Sequence, residues 1–421
     1  MIYIISDDLT GANDTGVQYT KQGFRTLVTV KPDKEFFKAS AENYDVISIN
    51  TDTRSKLPEV AYEIVYDSVK MFDNMNKEYV YKKIDSIVRG NPGVELDAVM
   101  DAINAKTAIV ATSFPEVGRK LINGKLELFN SKGESSIINV IDLFSKDMKR
   151  EVSGISISIV KEGAYKIADA IRSREKEGFK VFIIDAETDE DLQSITEAAR
   201  IMDIPPILCG SAGLAKQLSV YGRAKIRDSG MNNNEKVTLI MIGSRNDITS
   251  QQIRTLEDSA GIPIVTILTE DIFNGNKDKM IKDIISQVIS LLKSGCKLLA
   301  IVVDTLFDNF TINLKDSEQA LIDSMNVAKT IGEIAKVICE STTVDNIISS
   351  GGDTSQQILL SLDAKGIHLE NEIIPGVPVG KVIGGITNGM TIVTKSGGFG
   401  KENCLINIVE YLKDYHKKGV I

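Results

Sequence analysis

Histidine is almost missing from this chain: only His368 and His416 occur in 421 residues. A zinc site built on histidine therefore has nearly no raw material. The four cysteines, Cys209, Cys296, Cys339 and Cys404, are scattered without a CxxC pair. They read as reduced thiols filling core positions in a cytoplasmic protein. Long apolar runs are lacking too. The stretch LLAIVV (298–303) falls far short of the roughly 20 residues that span a bilayer. Met1 leads directly into an apolar segment, with no basic stretch and apolar core of a secretory signal. Positive charge is in deficit: 49 Lys and Arg against 58 Asp and Glu give a net charge of −9. Nucleic acid is thereby excluded as a main partner, because phosphate contacts need a basic stripe. Two phosphate-binding fingerprints are also absent. No GxxxxGK[ST] occurs, so this is not a Walker P-loop protein, and no clean GxGxxG supports a dinucleotide fold.

What the chain does contain is alternation. Its length calls for two domains. In the first half, IYIIS (2–6) reads as a buried strand, and ANDTGVQYTKQG as a helix ending at Gly23. YDVISINT (44–51) is a second clear strand. Pro58 then opens a helix whose Ala61, Ile64, Val65, Ser68 and Phe72 keep the helical period. Strands EYVYKKID (78–85) and TAIVATSF (107–114) follow. Between 120 and 160 the pattern shortens, and INGKLELFNSKGE has the look of a hairpin. Alternation resumes through AYKIADAIRSREKEG, KVFIIDA, ETDEDLQSITEAARIM and PPILCGS. The acidic run ETDEDL (187–192) suits a solvated helix N-terminus and needs no chemistry. The polar segment RDSGMNNNEK (227–236) reads as a linker and a hinge. Beyond it come further strands at 237–244, 262–268, 297–304, 344–352 and 389–398. The expected class is α/β, with two domains, 1–228 and 235–421, each a mainly parallel sheet flanked by helices.

Three strands of the second half end in glycine turns followed by helical sequence. They are Gly243-Ser244, Gly351-Gly352-Asp353-Thr354, and Gly397-Gly398-Phe399-Gly400. In a parallel sheet such turns share the edge where ligands bind. Helix N-termini offer unpaired N–H groups, and glycine lets backbone approach a phosphate. Any one turn is an ordinary strand–helix connection; three together point to a nucleotide site.

The first half puts charge at the corresponding places: Asp7-Asp8, then Asp52 and Arg54, then Lys82, Lys83, Asp85, Ser86, Arg89 and Asn91. Arginine and lysine grip carboxylates, and carboxylates accept hydrogen bonds from hydroxyls. The mixture fits a small polyhydroxy acid. Plainer roles stand beside this one. Asp8 can cap the following helix, and Arg54 can pair with Asp52. Strand alternation turns one of Lys82 and Lys83 away from the edge and makes Lys83 and Asp85 same-face neighbours.

Taken in order, SDDLTGANDTG, NTDTRS, KKIDSIVRGN, CGSAGLAKQL, SGGDTSQQIL and EIIPGVPVG…TKSGGFG resemble the four-carbon acid sugar kinases. These enzymes phosphorylate threonate, erythronate and related tetronic acids with ATP. The likeness runs from residue 4 to residue 400. It implies an N-terminal substrate-binding domain and a C-terminal nucleotide-binding domain. It implies acid-sugar contacts at Asp8, Arg54, Lys83, Ile84, Asp85 and Ser86, with Arg89 beside them. ATP would lie near Ser244, Gly351, Gly352, Asp353, Thr354 and Gly398, with Gly397 in the same turn. Mg²⁺ would accompany it, with Asp353 as a ligand. The carboxylate that meets the reacting hydroxyl is expected to be Asp8, with Asp353 the runner-up. Two departures stand out: Ser6 where the family often has alanine, and Ile87-Val88 where it commonly has Thr-Leu. Losing that threonine bears on which tetronic acid is used. The implied partner is a small acid sugar, with no nucleic acid or membrane; homo-oligomerisation stays open. Two other classes compete: a cytoplasmic sugar-acid sensor, which would leave the glycine turns idle, and a nucleotide-dependent oxidoreductase, for which DDLTGA is the wrong first turn.

Overall fold

A computed structural model describes residues 1–72, 78–129, 135–219, 236–244, 246–307 and 317–415. The expected linker, apart from Lys236, and His416 lie outside the described residues. The chain divides into two compact units, Met1–Lys225 and Ile226–Ile421. Both are α/β.

In the first unit the strands are β1 (Ile2–Ser6), β2 (Thr26–Thr29), β3 (Val46–Asn50), β4 (Tyr79–Lys83), β5 (Ala108–Ala111), β6 (Leu121–Ile122), β7 (Lys125–Phe129), β8 (Ser135–Asn139), β9 (Val152–Ile155), β10 (Val181–Ile184) and β11 (Ile207–Gly210). Eight of them form a parallel sheet in the order β2-β3-β1-β4-β11-β5-β10-β9. Strands β6 to β8 make a small antiparallel sheet; residues 130–134 of the hairpin expected over 122–134 lie outside the described residues. Helices cover both faces of the parallel sheet, so its strands read as continuous apolar runs. Side chains still alternate. Tyr3, Ile5, Ile47 and Ile49 enter one core; Ile2, Ile4, Val46 and Tyr81 enter the other. Tyr3 stacks on Phe72, with ring centroids 4.2 Å apart. β2 and the helix Lys34–Ser40 lie between the first helix and β3, where no element was expected. A four-residue strand carrying Thr26 and Thr29 gives little apolar signal.

In the second unit β12 (Thr238–Ile242), β13 (Ile264–Ile267), β14 (Leu298–Val303), β15 (Asn346–Ser350), β16 (Gly366–Ile374), β17 (Val377–Ile383) and β18 (Thr391–Lys395) follow the order β13-β14-β12-β15-β18-β17-β16. The first five run parallel; β16 and β17 are antiparallel. Their hairpin turns at Pro375-Gly376, where Gly376 has φ 76°. The proline–glycine pair was the available signal for it.

The two units share a winding order. In each, the first four strands of the parallel sheet lie as second, third, first, fourth. The connections leaving the first and fourth strands therefore diverge. This is the topological switch point where open α/β sheets bind ligands. It falls at β1/β4 in one unit and at β12/β15 in the other.

Candidate functional site

The edge at β1/β4 is built by two loops and a helix start. The carboxylate of Asp8 caps the helix Leu9–Thr20, accepting the Gly11 N–H at 2.8 Å. Position 11 also has a steric reason to be glycine. A Cβ there would lie 2.6 Å from Asp8 Oδ1 and 2.8 Å from Lys83 Nζ. Arg54 reaches across from the loop after β3. Its Nε and Nη2 donate to Asp7 at 2.7 and 3.0 Å, and its Nη1 and Nη2 donate to Asp8 at 2.8 and 2.7 Å. Four of its five N–H groups are thus engaged, leaving one on Nη1. The alternative pairing with Asp52 does not form; Asp52 adopts a left-handed turn at φ 53°. Asp7 is 3% exposed. Burial alone would raise its pKa, but Arg54, with Lys82 and Lys83 behind it, holds it below the usual carboxylate range. The guanidinium of Arg54 is in turn held well above its ordinary value: burial opposes this, and Asp8 and Asp7 outweigh it.

The loop after β4 supplies the rest. Arg89 Nε donates to Asp85 Oδ2 at 2.6 Å and its Nη2 to Oδ1 at 3.1 Å. Burial would raise the Asp85 carboxyl, but Arg89 and Arg54 bring it well below the ordinary range. Val88 sits inside this turn at φ 55°, a conformation that β-branched residues rarely adopt. The Val88 N–H to Asp85 O bond at 2.9 Å helps fix it. The two adjacent lysines part as alternation requires. Lys82 is fully buried and pairs with Glu95 at 2.7 Å. Lys83 is 3% exposed and points to the Asp8–Gly11 corner. Among the described residues its ammonium has no hydrogen-bond or ion-pair partner. Ile84 is buried, its N–H bonded to Gly210 O at 3.0 Å. Ser86 accepts a hydrogen bond from Arg119, a residue of the loop after β5 that the sequence reading passed over. The structure thus brings Asp8, Arg54, Lys83, Ile84, Asp85, Ser86 and Arg89 to one edge of the first unit.

The edge at β12/β15 gathers the three glycine turns. A Cβ on Gly243 would lie 2.3 Å from Thr354 Oγ1, and one on Gly397 2.2 Å from Ser244 Oγ. Gly351, at φ 112°, caps the helix Gly352–Ser361, which has Asp353 in its first turn. Ser244, Gly351 to Thr354, and Gly397-Gly398 are therefore close neighbours. The third turn differs from expectation in one respect: its helix starts at Cys404, after a further turn through 402–403. Gln252 holds that connection, its Nε2 donating to the carbonyls of Phe399, Gly400 and Lys401 at 3.0, 3.1 and 3.0 Å. Thr249 Oγ1 bonds Gly397 O at 2.6 Å. Lys395, fully buried, donates to Ser396 O at 2.8 Å; burial pushes its pKa down to about 8. Gln252, Thr249 and Lys395 carry no motif. Their roles follow only from packing under a turn.

No group of three or more His, Cys, Asp or Glu among the described residues could cage a metal. No helix among them is long and apolar enough to cross a membrane.

A charged edge in one doubly wound unit and a glycine-turn edge in the other define a two-domain α/β protein with a candidate small-molecule edge in each unit. Comparison with known proteins is more particular. Residues 2–218 match the family model of the sugar-binding N-terminal domain, and residues 239–405 that of the nucleotide-binding C-terminal domain. The chain belongs to the family built from this pair, the four-carbon acid sugar kinases. A D-threonate kinase of Salmonella typhimurium is 26% identical, over 98% of each chain. A D-erythronate kinase of Heliobacterium modesticaldum is also 26% identical, over 98% of this chain and 97% of its own. A 3-oxo-tetronate kinase of Brucella melitensis is 24% identical, over 95% and 93%. Among solved structures, a Salmonella typhimurium LT2 protein shares the fold at TM-score 0.78 and 20% identity, covering 97% of this chain and 98% of that one. A Haemophilus influenzae protein does so at TM-score 0.68 and 20% identity, covering 97% and 99%.

Proposed function

We propose that this protein is an ATP-dependent kinase acting on the terminal 4-hydroxyl of a four-carbon acid sugar such as threonate, erythronate or 3-oxo-tetronate. The observation that carries the reading is the β1/β4 edge. There, carboxylates clamped by Arg54 stand beside Lys83, a buried ammonium with no partner among the described residues. Acceptors for hydroxyls next to a cation for a carboxylate are what a sugar acid requires. Asp8 Oδ2 takes one N–H from Arg54 and keeps a lone pair for a substrate hydroxyl. Asp8 is our first assignment for the group that receives the reacting hydroxyl's proton, with Asp353 the alternative. Lys83 and the remaining Arg54 N–H take substrate charge. Ile84, Asp85, Ser86 and Arg89 shape the floor.

In the second unit, Ser244, Gly351, Gly352, Asp353, Thr354, Gly397 and Gly398 would hold ATP, with backbone N–H groups and a helix N-terminus facing phosphate. With no metal cage among the described residues, Mg²⁺ would arrive with the nucleotide. Phosphate oxygens and water would supply most of its ligands, and Asp353 one more. Bound there, it would neutralise charge on the transferring phosphoryl group. ADP release by the purified protein with Mg-ATP tests the reading, across D- and L-threonate, D- and L-erythronate, 3-oxo-tetronate, glycerate and a five-carbon acid. Turnover on a four-carbon acid well above the two controls is expected. Silence on the whole panel, with no ATP binding, would overturn it.

A further inference from the structure

The cations at the β1/β4 edge are not equally available. Arg54 is engaged by Asp7 and Asp8, Arg89 by Asp85, and Lys82 by Glu95. Of the cations at this edge, Lys83 and Arg119 have no carboxylate within ion-pair distance among the described residues. Arg119 is set in place with unusual care for a loop residue. The loop leaves β5, makes a short 3-10 turn at Pro115–Val117, and reverses at Gly118 with φ 75°. The backbone of Arg119 then pairs with Phe114 in both directions, at 2.9 and 3.1 Å. Two residues on, Leu121 N–H bonds Ser113 Oγ at 3.1 Å and bridges Ala186. The side chain reaches Ser86, within the substrate loop, and feels Asp85 and Arg89 there. Its desolvation is not offset by an ion pair, and burial draws its pKa down. A guanidinium held by a rigid turn, half-buried and, among the described residues, bonded only to a neutral hydroxyl, is prepared for an anion.

We propose that Arg119 is a substrate-binding residue that takes the carboxylate of the acid sugar through its planar fork, with Lys83 as the second cation. This rests on the acid-sugar reading of the same edge. It makes Arg119 the residue that separates acids from their neutral analogues.

The test compares wild type, Arg119→Gln and Arg119→Lys, each first checked for an unchanged melting temperature. The acid accepted by wild type and its neutral amide are measured by calorimetric binding and by ADP release. Loss of charged hydrogen bonds in Arg119→Gln should weaken the acid roughly 10- to 150-fold. The amide should change less than about 3-fold and KM for ATP should not move; Arg119→Lys should lie between. Equal losses on acid and amide, or none on the acid, overturn the assignment while the kinase reading stands. If wild type binds the acid without releasing ADP, the kinase reading falls, and binding alone decides Arg119. Wild type binding no tetronic acid overturns both.

Discussion

Neighbouring glycines in the third turn of the second unit should respond differently to the same substitution. A Cβ on Gly397 would sit 2.2 Å from Ser244 Oγ and 3.0 Å from Ser244 Cβ. Rotating Ser244 relieves the first clash but breaks the bond its Oγ accepts from Asn246 N–H at 3.2 Å. The Cβ–Cβ contact stays too tight. The turn cannot back away easily, because Thr249 Oγ1 holds Gly397 O at 2.6 Å. Overpacking of this kind costs about 1–3 kcal/mol, a fall in Tm of roughly 2–12 °C for a unit of this size. At Gly398 a Cβ meets only Asn246 Nδ2, at 3.6 Å, an ordinary contact. Gly398→Ala should therefore leave Tm within about 1 °C, since surface changes cost little. If a phosphate packs against this turn, however, the new methyl obstructs it, and KM for ATP should rise about 5-fold or more. Calorimetric melting and ATP-dependence kinetics on both variants provide the assay. Ser244→Gly combined with Gly397→Ala should recover Tm. Gly397→Ala melting with wild type would refute the packing argument. Gly398→Ala with an unchanged KM for ATP would refute the phosphate role.

Three further outcomes follow from single groups. Lys82→Met strips the buried Glu95 carboxyl, which burial already pushes up in pKa, of its cation and should cost about 3–5 kcal/mol in urea unfolding, whereas Lys82→Met with Glu95→Leu should regain most of it; an equally unstable double variant contradicts this. Lys395 has a folded pKa lowered from 10.5 to about 8, so the unfolded chain binds more protons between those values, and stability should rise with pH across that window. Lys395→Met should remove that rise in chemical denaturation at pH 8 and pH 10; an unchanged slope sinks the assignment. Asp8→Asn keeps an oxygen for the Gly11 cap, so folding should survive while turnover falls about 10²-fold or more; near-normal turnover removes Asp8 from the chemistry.

Strand grammar made much of this legible. The buried runs at β1, β3, β4, β12, β15 and β18 stand out because both faces are covered, and each ends in the residues of an edge. What the sequence hid is what one residue does to another at a distance. Arg54 and Asp52 sit two residues apart, yet Arg54 turns to Asp7 and Asp8, 47 and 46 residues away in sequence. Nothing local to SFPEVGRK marks Arg119, since its meaning depends on β5 being close enough for the loop to reach Ser86. β2 and the β16–β17 hairpin escaped for opposite reasons. The first is too short and too rich in threonine; the second carries charge along an antiparallel pair whose only signal was Pro375-Gly376.

The most direct measurement is where the phosphate goes. Phosphorus-31 and carbon-13 NMR of a reaction with Mg-ATP and the accepted tetronic acid should show a new phosphomonoester coupled to C4. Inorganic phosphate alone, or phosphate on the carboxylate, would contradict the account.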